Sequence, residues 1–192
     1  MPRIQKDAST DARKCIYEAI ASIMLDTDYD KISVQAIASE AGVSRSTFYR
    51  YFESVDDAIE ALEDRYLDIM QEINRIGILS KLSPESRKLS STQVQRLEIL
   101  HENWQVVLAL LGSHSNPRFM QKEIALMSSY LATKIEGVDL SEDETDLYVN
   151  FIISGHNGLV VRWLTMHPDM KPETVAGLLN DMFFAPLIAR EP

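Results

Sequence analysis

The stretch SRSTFYRYF, residues 44–52, places polar and aromatic side chains at nearly every position. A guanidinium can form two hydrogen bonds with guanine, and hydroxyl and phenol groups can reach base edges or phosphate oxygens. At the start of a helix, side chains of these types fit the major groove of duplex DNA. The candidate DNA contacts are Arg45, Ser46, Thr47, Tyr49, Arg50 and Tyr51.

Two short helices must position these side chains. The first carries an apolar stripe with helical spacing, formed by Val34, Ile37, Ala38 and Ala41. Ser33 is a good N-cap for this helix, and Gly42 can take the positive φ that ends it. Ser44 caps the second helix, whose Phe48 and Phe52 face inward. This is the helix-turn-helix pattern, although a helical hairpin in an ordinary bundle has the same spacing.

The longer segment AIASEAGVSRSTFYRYFESVDDAIEAL resembles the N-terminal signature of the TetR family of bacterial transcriptional regulators. The resemblance implies base or phosphate contacts by four residues: Arg45, Ser46, Thr47 and Arg50. It also implies phosphate contacts by Ser33, Tyr49 and Tyr51. One position departs from the family, because Val55 stands where a phosphate-binding lysine is often found.

The charge of the chain does not favour DNA binding. The net charge is −10, and the first sixty residues carry eleven acidic and seven basic residues. Attraction to phosphate must therefore come from a few local cations. These are Arg3, Lys6, Lys31, Arg45 and Arg50. We expect DNA binding that weakens steeply as salt is added.

Composition indicates a globular protein of the cytoplasm. Of the 192 residues, 45% are apolar and 25% are charged, as in ordinary soluble domains. No apolar run approaches the roughly 20 residues needed to cross a bilayer, and the polar first ten residues do not resemble a signal peptide. The single cysteine, Cys15, excludes an intrachain disulfide and fits a reducing compartment.

Helical periodicity continues along the chain and predicts an all-α fold. A long helix runs from Val55 to Ile76, a serine-rich linker occupies residues 80–91, and a further helical stripe runs from Leu97 to Leu111. The resemblance divides the chain into a three-helix helix-turn-helix DNA-binding domain, residues 1–54, and a helical ligand-binding and dimerisation domain, residues 55–192.

Methionine and aromatic side chains recur in the C-terminal part, where they suit either a core or an adaptable ligand pocket. The resemblance favours a pocket for a small-molecule effector. The candidate ligand-binding residues are Trp104, Met120, Met127, Tyr130, Phe151 and His156. For His156, a hydrogen-bonded packing role is the alternative.

Glycines interrupt the penultimate predicted helix, where each costs about 1 kcal/mol relative to alanine. Close approach of another helix would compensate. The last two helices resemble the pair that forms the dimer interface of TetR-like regulators, and an inverted-repeat DNA site requires a two-fold protein. The predicted interface residues are Gly155, Gly158, Leu159, Trp163, Leu179 and Met182.

The sequence does not predict an enzyme. It contains no phosphate-binding glycine loop, no nucleophile elbow and no paired cysteine ligands, and its four histidines are scattered. We therefore expect no catalytic residue, no metal and no cofactor.

The resemblance implies a homodimeric repressor that binds an inverted-repeat DNA operator and leaves it when a small molecule binds the C-terminal domain. The alternative is a TetR-like protein that no longer binds DNA and acts on another protein. The acidic N-terminal domain and Val55 favour this alternative, whereas Arg45, Thr47 and Tyr49 oppose it.

Overall fold

The computed structural model describes residues 8–77, 91–134 and 140–184. These ranges contain the helices α1 Ala8–Ile23, α2 Val34–Glu40, α3 Arg45–Tyr49, α4 Val55–Gly77, α5 Ser91–Glu102, α6 Trp104–Leu111, α7 Pro117–Lys134, α8 Glu142–Met166 and α9 Pro172–Leu179. A 3₁₀ turn spans Tyr29–Lys31, and a π-helical turn spans Asn180–Phe184. The described residues include no strand, so the all-α prediction is confirmed.

Two expectations fall on residues that the structure does not describe. The N-terminal cations Arg3 and Lys6 lie outside the described ranges. Residues 80–90 of the predicted linker lie outside them as well. A third expectation needs correction, because the stripe from Leu97 to Leu111 is not one helix. It divides at Asn103, whose side-chain amide donates to the carbonyl of Ile99 at 2.8 Å. Such bonds compete with the regular helical pattern.

The helices group into two compact units. The first unit comprises residues 1–66 and 105–119, and the second comprises residues 67–104 and 120–192. Helix α4 begins in the first unit and ends in the second. Chain continuity through this helix therefore links the two units covalently.

The core of the first unit joins α1, α2, α3 and the start of α4. Its largest fully buried side chains are Ile16, Ile20, Met24, Ile37, Phe48 and Leu62. Each such side chain contributes roughly 1.5–3 kcal/mol through its removal from water. The apolar stripes of the sequence therefore become one cluster, which fixes the angle between the helices of the helix-turn-helix.

Polar contacts also join the α1–α2 loop to the α6–α7 loop within this unit. The backbone amide of Tyr29 donates to the carbonyl of His114 at 3.0 Å. Asp28 places one carboxylate oxygen 2.6 Å from Lys31 Nζ and the other 2.6 Å from His114 Nδ1. The hydrogen bond from Lys31, followed by that from His114, lowers the pKa of Asp28.

The second unit has its own apolar core. Its buried side chains include Leu97, Leu100, Met127, Val149, Ile152, Val160, Trp163, Val175 and Leu179. The Trp163 indole donates to the carbonyl of Met170 at 2.9 Å, and its ring stacks on His101 with centroids 5.3 Å apart. These bonds fix the turn between α8 and α9.

Candidate functional site

Local hydrogen bonds set the ends of α2. The Ser33 hydroxyl accepts a hydrogen bond from the amide of Ala36 at 3.2 Å, as predicted for an N-cap. At the other end, Gly42 has a φ of +66°. The amide of Val43 bonds to the carbonyl of Ala38 at 2.9 Å, which is the long hydrogen bond of a Schellman motif. The predicted glycine turn is therefore confirmed.

Ser44 organises the start of α3. Its hydroxyl accepts a hydrogen bond from the amide of Thr47 at 3.0 Å. The same oxygen lies 2.8 Å from the hydroxyl of Ser46 and 2.8 Å from that of Thr47. Ser44 thus caps the helix and also orients both hydroxyl groups that the sequence assigned to DNA contacts.

Aromatic packing fixes the inner side of α3. Phe48 and Phe52 are 0% and 2% exposed, and their ring centroids lie 5.7 Å apart. Tyr17 of α1 packs on Phe52 with centroids 5.8 Å apart. Because these rings bury one side of the segment, the polar residues between them remain at the surface.

The candidate DNA contacts differ in exposure. The exposed ones are Ser33, Arg45, Ser46, Tyr49 and Arg50, whereas Thr47 and Tyr51 are half-buried. Arg50 donates to the hydroxyl of Tyr51 at 3.2 Å, and its guanidinium lies 5.0 Å from the centre of that ring. The pair therefore holds one cation and one phenol together just after α3.

Two cations near this surface are engaged by neighbours. Lys31 donates a hydrogen bond to the carboxylate of Asp28, which raises the pKa of Lys31 and partly neutralises its charge. Arg13 lies with its guanidinium 5.3 Å from the ring centre of Phe52. The sequence analysis did not identify Arg13, although its position four residues before Tyr17 on the same helix was a usable signal.

The candidate ligand-binding residues fall into two groups. Met127 is buried in the second unit, where Met120, Tyr130 and His156 are half-buried. In contrast, Trp104 is 43% exposed and Phe151 is 61% exposed. The first group is therefore buried or half-buried in the second unit, whereas the other two side chains are exposed.

A buried polar cluster, which the sequence analysis missed, lies beside the first group. We use this name for the buried Glu123 and Asn157 together with the half-buried Arg96 and His156. The Asn157 amide donates to Glu123 Oε2 at 2.5 Å and approaches Met120 Sδ at 3.5 Å. Glu123 and Asn157 are 0% and 4% exposed. The sequence could not predict the contact between Glu123 and Asn157, because the two residues lie on different helices, α7 and α8.

His156 extends this chain of hydrogen bonds. Its Nδ1 lies 3.3 Å from Asn157 Oδ1. Because the Asn157 amide nitrogen already donates to Glu123, the oxygen is the acceptor and His156 Nδ1 carries the proton. Burial, with the charge of Arg96 as the second cause, lowers the pKa of His156 to about 3. The imidazole is therefore neutral at physiological pH.

The predicted dimer residues are also divided. Gly158 is exposed and Met182 is 55% exposed, whereas Gly155 and Leu159 are half-buried. Trp163 and Leu179 are 3% and 0% exposed and pack inside their own unit. Large apolar side chains that do lie at the surface of α8 and α9 are Leu147, Phe151, Met166 and Leu178.

The described ranges also bear on membrane insertion and metal binding. No helix there is long and apolar enough to cross a membrane. In the same part of the chain, no group of histidine, cysteine or carboxylate side chains could hold a metal ion.

Comparison with known proteins adds to this geometry. Residues 16–62 match the family described as bacterial regulatory proteins, tetR family, and residues 88–185 match the one described as transcriptional regulator C-terminal region. An uncharacterized HTH-type transcriptional regulator of Bacillus subtilis (strain 168), YhgD, is 22% identical over 185 residues, which are 90% of this chain and 94% of that protein.

Solved structures share the fold. A transcriptional regulator FadR from Bacillus subtilis in complex with stearoyl-CoA has a TM-score of 0.66 and 18% identity, covering 93% of this chain and 99% of that one. AibR, in complex with isovaleryl coenzyme A and operator DNA, has a TM-score of 0.62 and 16% identity, covering 90% of this chain and 98% of that one. Together with the helix-turn-helix geometry, these matches show that the chain belongs to the TetR family of transcriptional regulators.

Proposed function

We propose that this regulator is a homodimeric repressor that binds an inverted-repeat DNA operator and leaves it when a small molecule binds the second unit. The observation that carries the proposal is the arrangement at the start of α3. There the Ser44 hydroxyl holds those of Ser46 and Thr47 at 2.8 Å. Arg45 and Tyr49 are exposed beside them.

The roles of these side chains follow from their chemistry. Arg45 reads guanine through two hydrogen bonds, and Ser46 and Thr47 contact bases or phosphates. Tyr49 and the paired Arg50 and Tyr51 bind phosphate oxygens, as does Ser33 at the start of α2. Two copies of α3, about 34 Å apart in the dimer, would meet successive major grooves on one side of the duplex.

Selection from a random pool of duplexes tests DNA binding. The native chain is compared with an Arg45→Ala, Tyr49→Ala double variant at moderate salt. Arg118→Ala, an exposed residue of α7, serves as the matched control. We expect the native chain and the control to enrich an inverted repeat and the double variant to lose it, because each bidentate base contact is worth roughly 1–3 kcal/mol. Failure of the folded native chain to enrich any sequence, even at low salt, would contradict the proposal.

Exposed apolar side chains of α8, of α9 and of the π-helical turn after α9 support dimerisation. Leu147, Leu178 and Met182 are 70%, 39% and 55% exposed. A Cβ added at Gly158 would meet nothing within 4 Å, so a second helix has space to approach there. Exposed apolar surface of this kind is typical of protein interfaces, and a second copy is the partner that an inverted-repeat operator requires.

Sedimentation equilibrium tests this interface. We expect Leu147→Glu with Met182→Glu to give a folded monomer, because two buried carboxylates oppose association. Glu142→Gln, at an exposed position of the same α8, should remain dimeric. A dimer of undiminished affinity in the double variant would place the interface elsewhere.

The second unit is the proposed site of the effector. Its candidate contacts are the buried or half-buried Met120, Met127, Tyr130 and His156. The exposed Trp104 and Phe151 stay candidates only for contacts at the surface of the unit. Acyl-CoA compounds are present in the two solved relatives described above, so acyl compounds are the first to test. Binding would shift the population of states through α4, whose residues belong to both units.

A second candidate function is regulation through another protein without DNA. The net charge of −10 and the presence of Val55 in place of a phosphate-binding lysine favour it. The selection experiment decides between the two, because a chain that acts only on a protein would enrich no duplex. In either case we propose a cytoplasmic protein without catalytic activity, cofactor or metal.

A further inference from the structure

One nitrogen of the buried polar cluster lacks a bonding partner. The Nε of Arg96, on α5, is buried and forms no hydrogen bond with any described residue. A charged donor removed from water without an acceptor is unfavourable, and proteins rarely retain one without a reason. The charge of Arg96 acts on groups of two other helices. Burial raises the pKa of Tyr130 and Arg96 opposes that rise, whereas burial and Arg96 together lower the pKa of His156.

The neighbouring groups do not supply the missing acceptor. His156 is neutral and directs its Nδ1 proton toward Asn157, which in turn donates to Glu123 Oε2. His156 thus donates to Asn157, and Asn157 donates to the carboxylate of Glu123. Neither of these two hydrogen bonds involves Arg96 Nε. An anionic oxygen at Arg96 Nε would complete the cluster.

We propose that Arg96 binds the carboxylate of a small organic acid inside the second unit. The inference rests on the proposed function, because it names the chemical class of the effector. The Nε edge of a guanidinium presents two parallel donors, which match the two oxygens of a carboxylate. The neutral His156 adds no second positive charge that a doubly charged phosphate would require.

The residues beside the cluster suit the remainder of such an acid. Met127 is buried, and Met120 lies 3.5 Å from the Asn157 amide through its sulfur. Methionine side chains are flexible and adapt to apolar ligands of different shape. His156 Nε2 stays available as an acceptor, because the proton of the neutral ring is on Nδ1.

Binding of matched probes tests the proposal in the full-length protein. Butyrate, decanoate, palmitate and benzoate are each compared with the corresponding alcohol, and decanoyl-CoA is included to separate a thioester from a free acid. We expect at least one acid to bind the native chain more tightly than its alcohol, measured by calorimetry. We expect Arg96→Met to lower the affinity for that acid by roughly tenfold or more, because the charge-assisted hydrogen bonds are lost. Arg118→Gln, on the exposed part of α7, should bind as the native chain does.

A second variant and a ligand-free measurement separate binding from folding. Arg96→Lys keeps the charge but loses the two-donor edge, so we expect an affinity between those of the native chain and Arg96→Met. Without ligand, Arg96→Met should melt no lower than the native chain, because it removes a buried donor that lacks a partner. A lower melting temperature of the ligand-free variant would assign Arg96 a structural role and overturn the proposal.

The remaining outcomes are equally decisive. Binding of every acid no better than its alcohol, or equal binding by Arg96→Met, overturns the proposal even if the protein selects an operator. Conversely, acid binding through Arg96 in a chain that selects no duplex supports the site and contradicts only the repressor function. If the bound acid releases the protein from the selected operator, acid binding through Arg96 and the repressor function would both be supported.

Discussion

The helix-turn-helix and the buried polar cluster hold their polar groups in opposite ways. In the helix-turn-helix, Ser33 and Ser44 each bond to a backbone amide three residues further along, at exposed positions. In the cluster, Asn157 bonds to Glu123 across a separation of 34 residues, and both side chains are buried. Local bonds set the helix ends of the helix-turn-helix, whereas the cluster depends on how α7 and α8 pack.

This difference has energetic consequences. An exposed capping bond contributes about 1 kcal/mol, because water replaces it when it is lost. A buried polar pair is more costly to break, because the partner left behind has no water to bond with. We therefore expect the cluster to respond strongly to mutation, pH and ligands, and the helix-turn-helix to respond weakly.

Removal of Asn157 should have the largest effect. Asn157→Ala takes away the donor to Glu123 and leaves a small cavity, so we expect the free energy of unfolding to fall by about 2 to 3 kcal/mol in urea titration. Ser154→Ala, at an exposed position of the same helix, should stay within about 0.5 kcal/mol of the native chain. Similar small effects in both variants would show that the cluster adds nothing to stability.

Acidification should disturb the cluster next. The folded pKa of His156, about 3, lies below its ordinary value of 6.5. Between these two pKa values the imidazole is protonated in the unfolded chain but not in the folded one. His156 therefore reduces the stability of the folded chain as pH falls from above 6.5 toward about 3. Between about pH 7.5 and pH 5 the expected loss is about 2 kcal/mol.

Urea titrations at several pH values check this result against a matched variant. His156→Gln cannot take up the proton and should lose less stability over the same interval. Asp28 does not affect the comparison, because its lowered pKa places its contribution to stability at more acidic pH. That contribution is present above the pKa of Asp28 in the unfolded chain and is lost as pH falls through its pKa in the folded chain. Parallel pH profiles for the native chain and His156→Gln would contradict the neutral state of the buried imidazole.

The same contrast explains which features the sequence could predict. The caps at Ser33 and Ser44 and the turn at Gly42 all depend on residues within a few positions, and the structure confirms each of them. The all-α fold and the family membership also followed from such short patterns. Short-range sequence patterns were therefore sufficient to predict the helix ends and the turn of the helix-turn-helix.

The second unit was less predictable because its contacts join distant parts of the chain. Periodicity marked Trp163 and Leu179 as apolar, but it could not tell a helix face that packs inside the unit from one that meets a second copy. Arg96 and Glu123 attracted no attention, since isolated charged residues in a helix are usually solvated. Only the packing of the folded unit reveals that Glu123 and the Nε of Arg96 are buried.

Gly42 offers the smallest and cleanest test of the local side of the comparison. Its φ of +66° is unfavourable for any residue with a Cβ, yet a Cβ added there would meet nothing within 4 Å. Gly42→Ala should therefore cost about 1 kcal/mol through backbone strain alone, and Gly42→Asn should cost less, because asparagine tolerates this conformation. Since α2 and α3 depend on the turn, we expect operator affinity to fall in the same order while acid binding in the second unit stays unchanged. An alanine variant as stable as the native chain would show that the turn can adopt another conformation, and the conclusion that local bonds set the end of α2 would then lose its support.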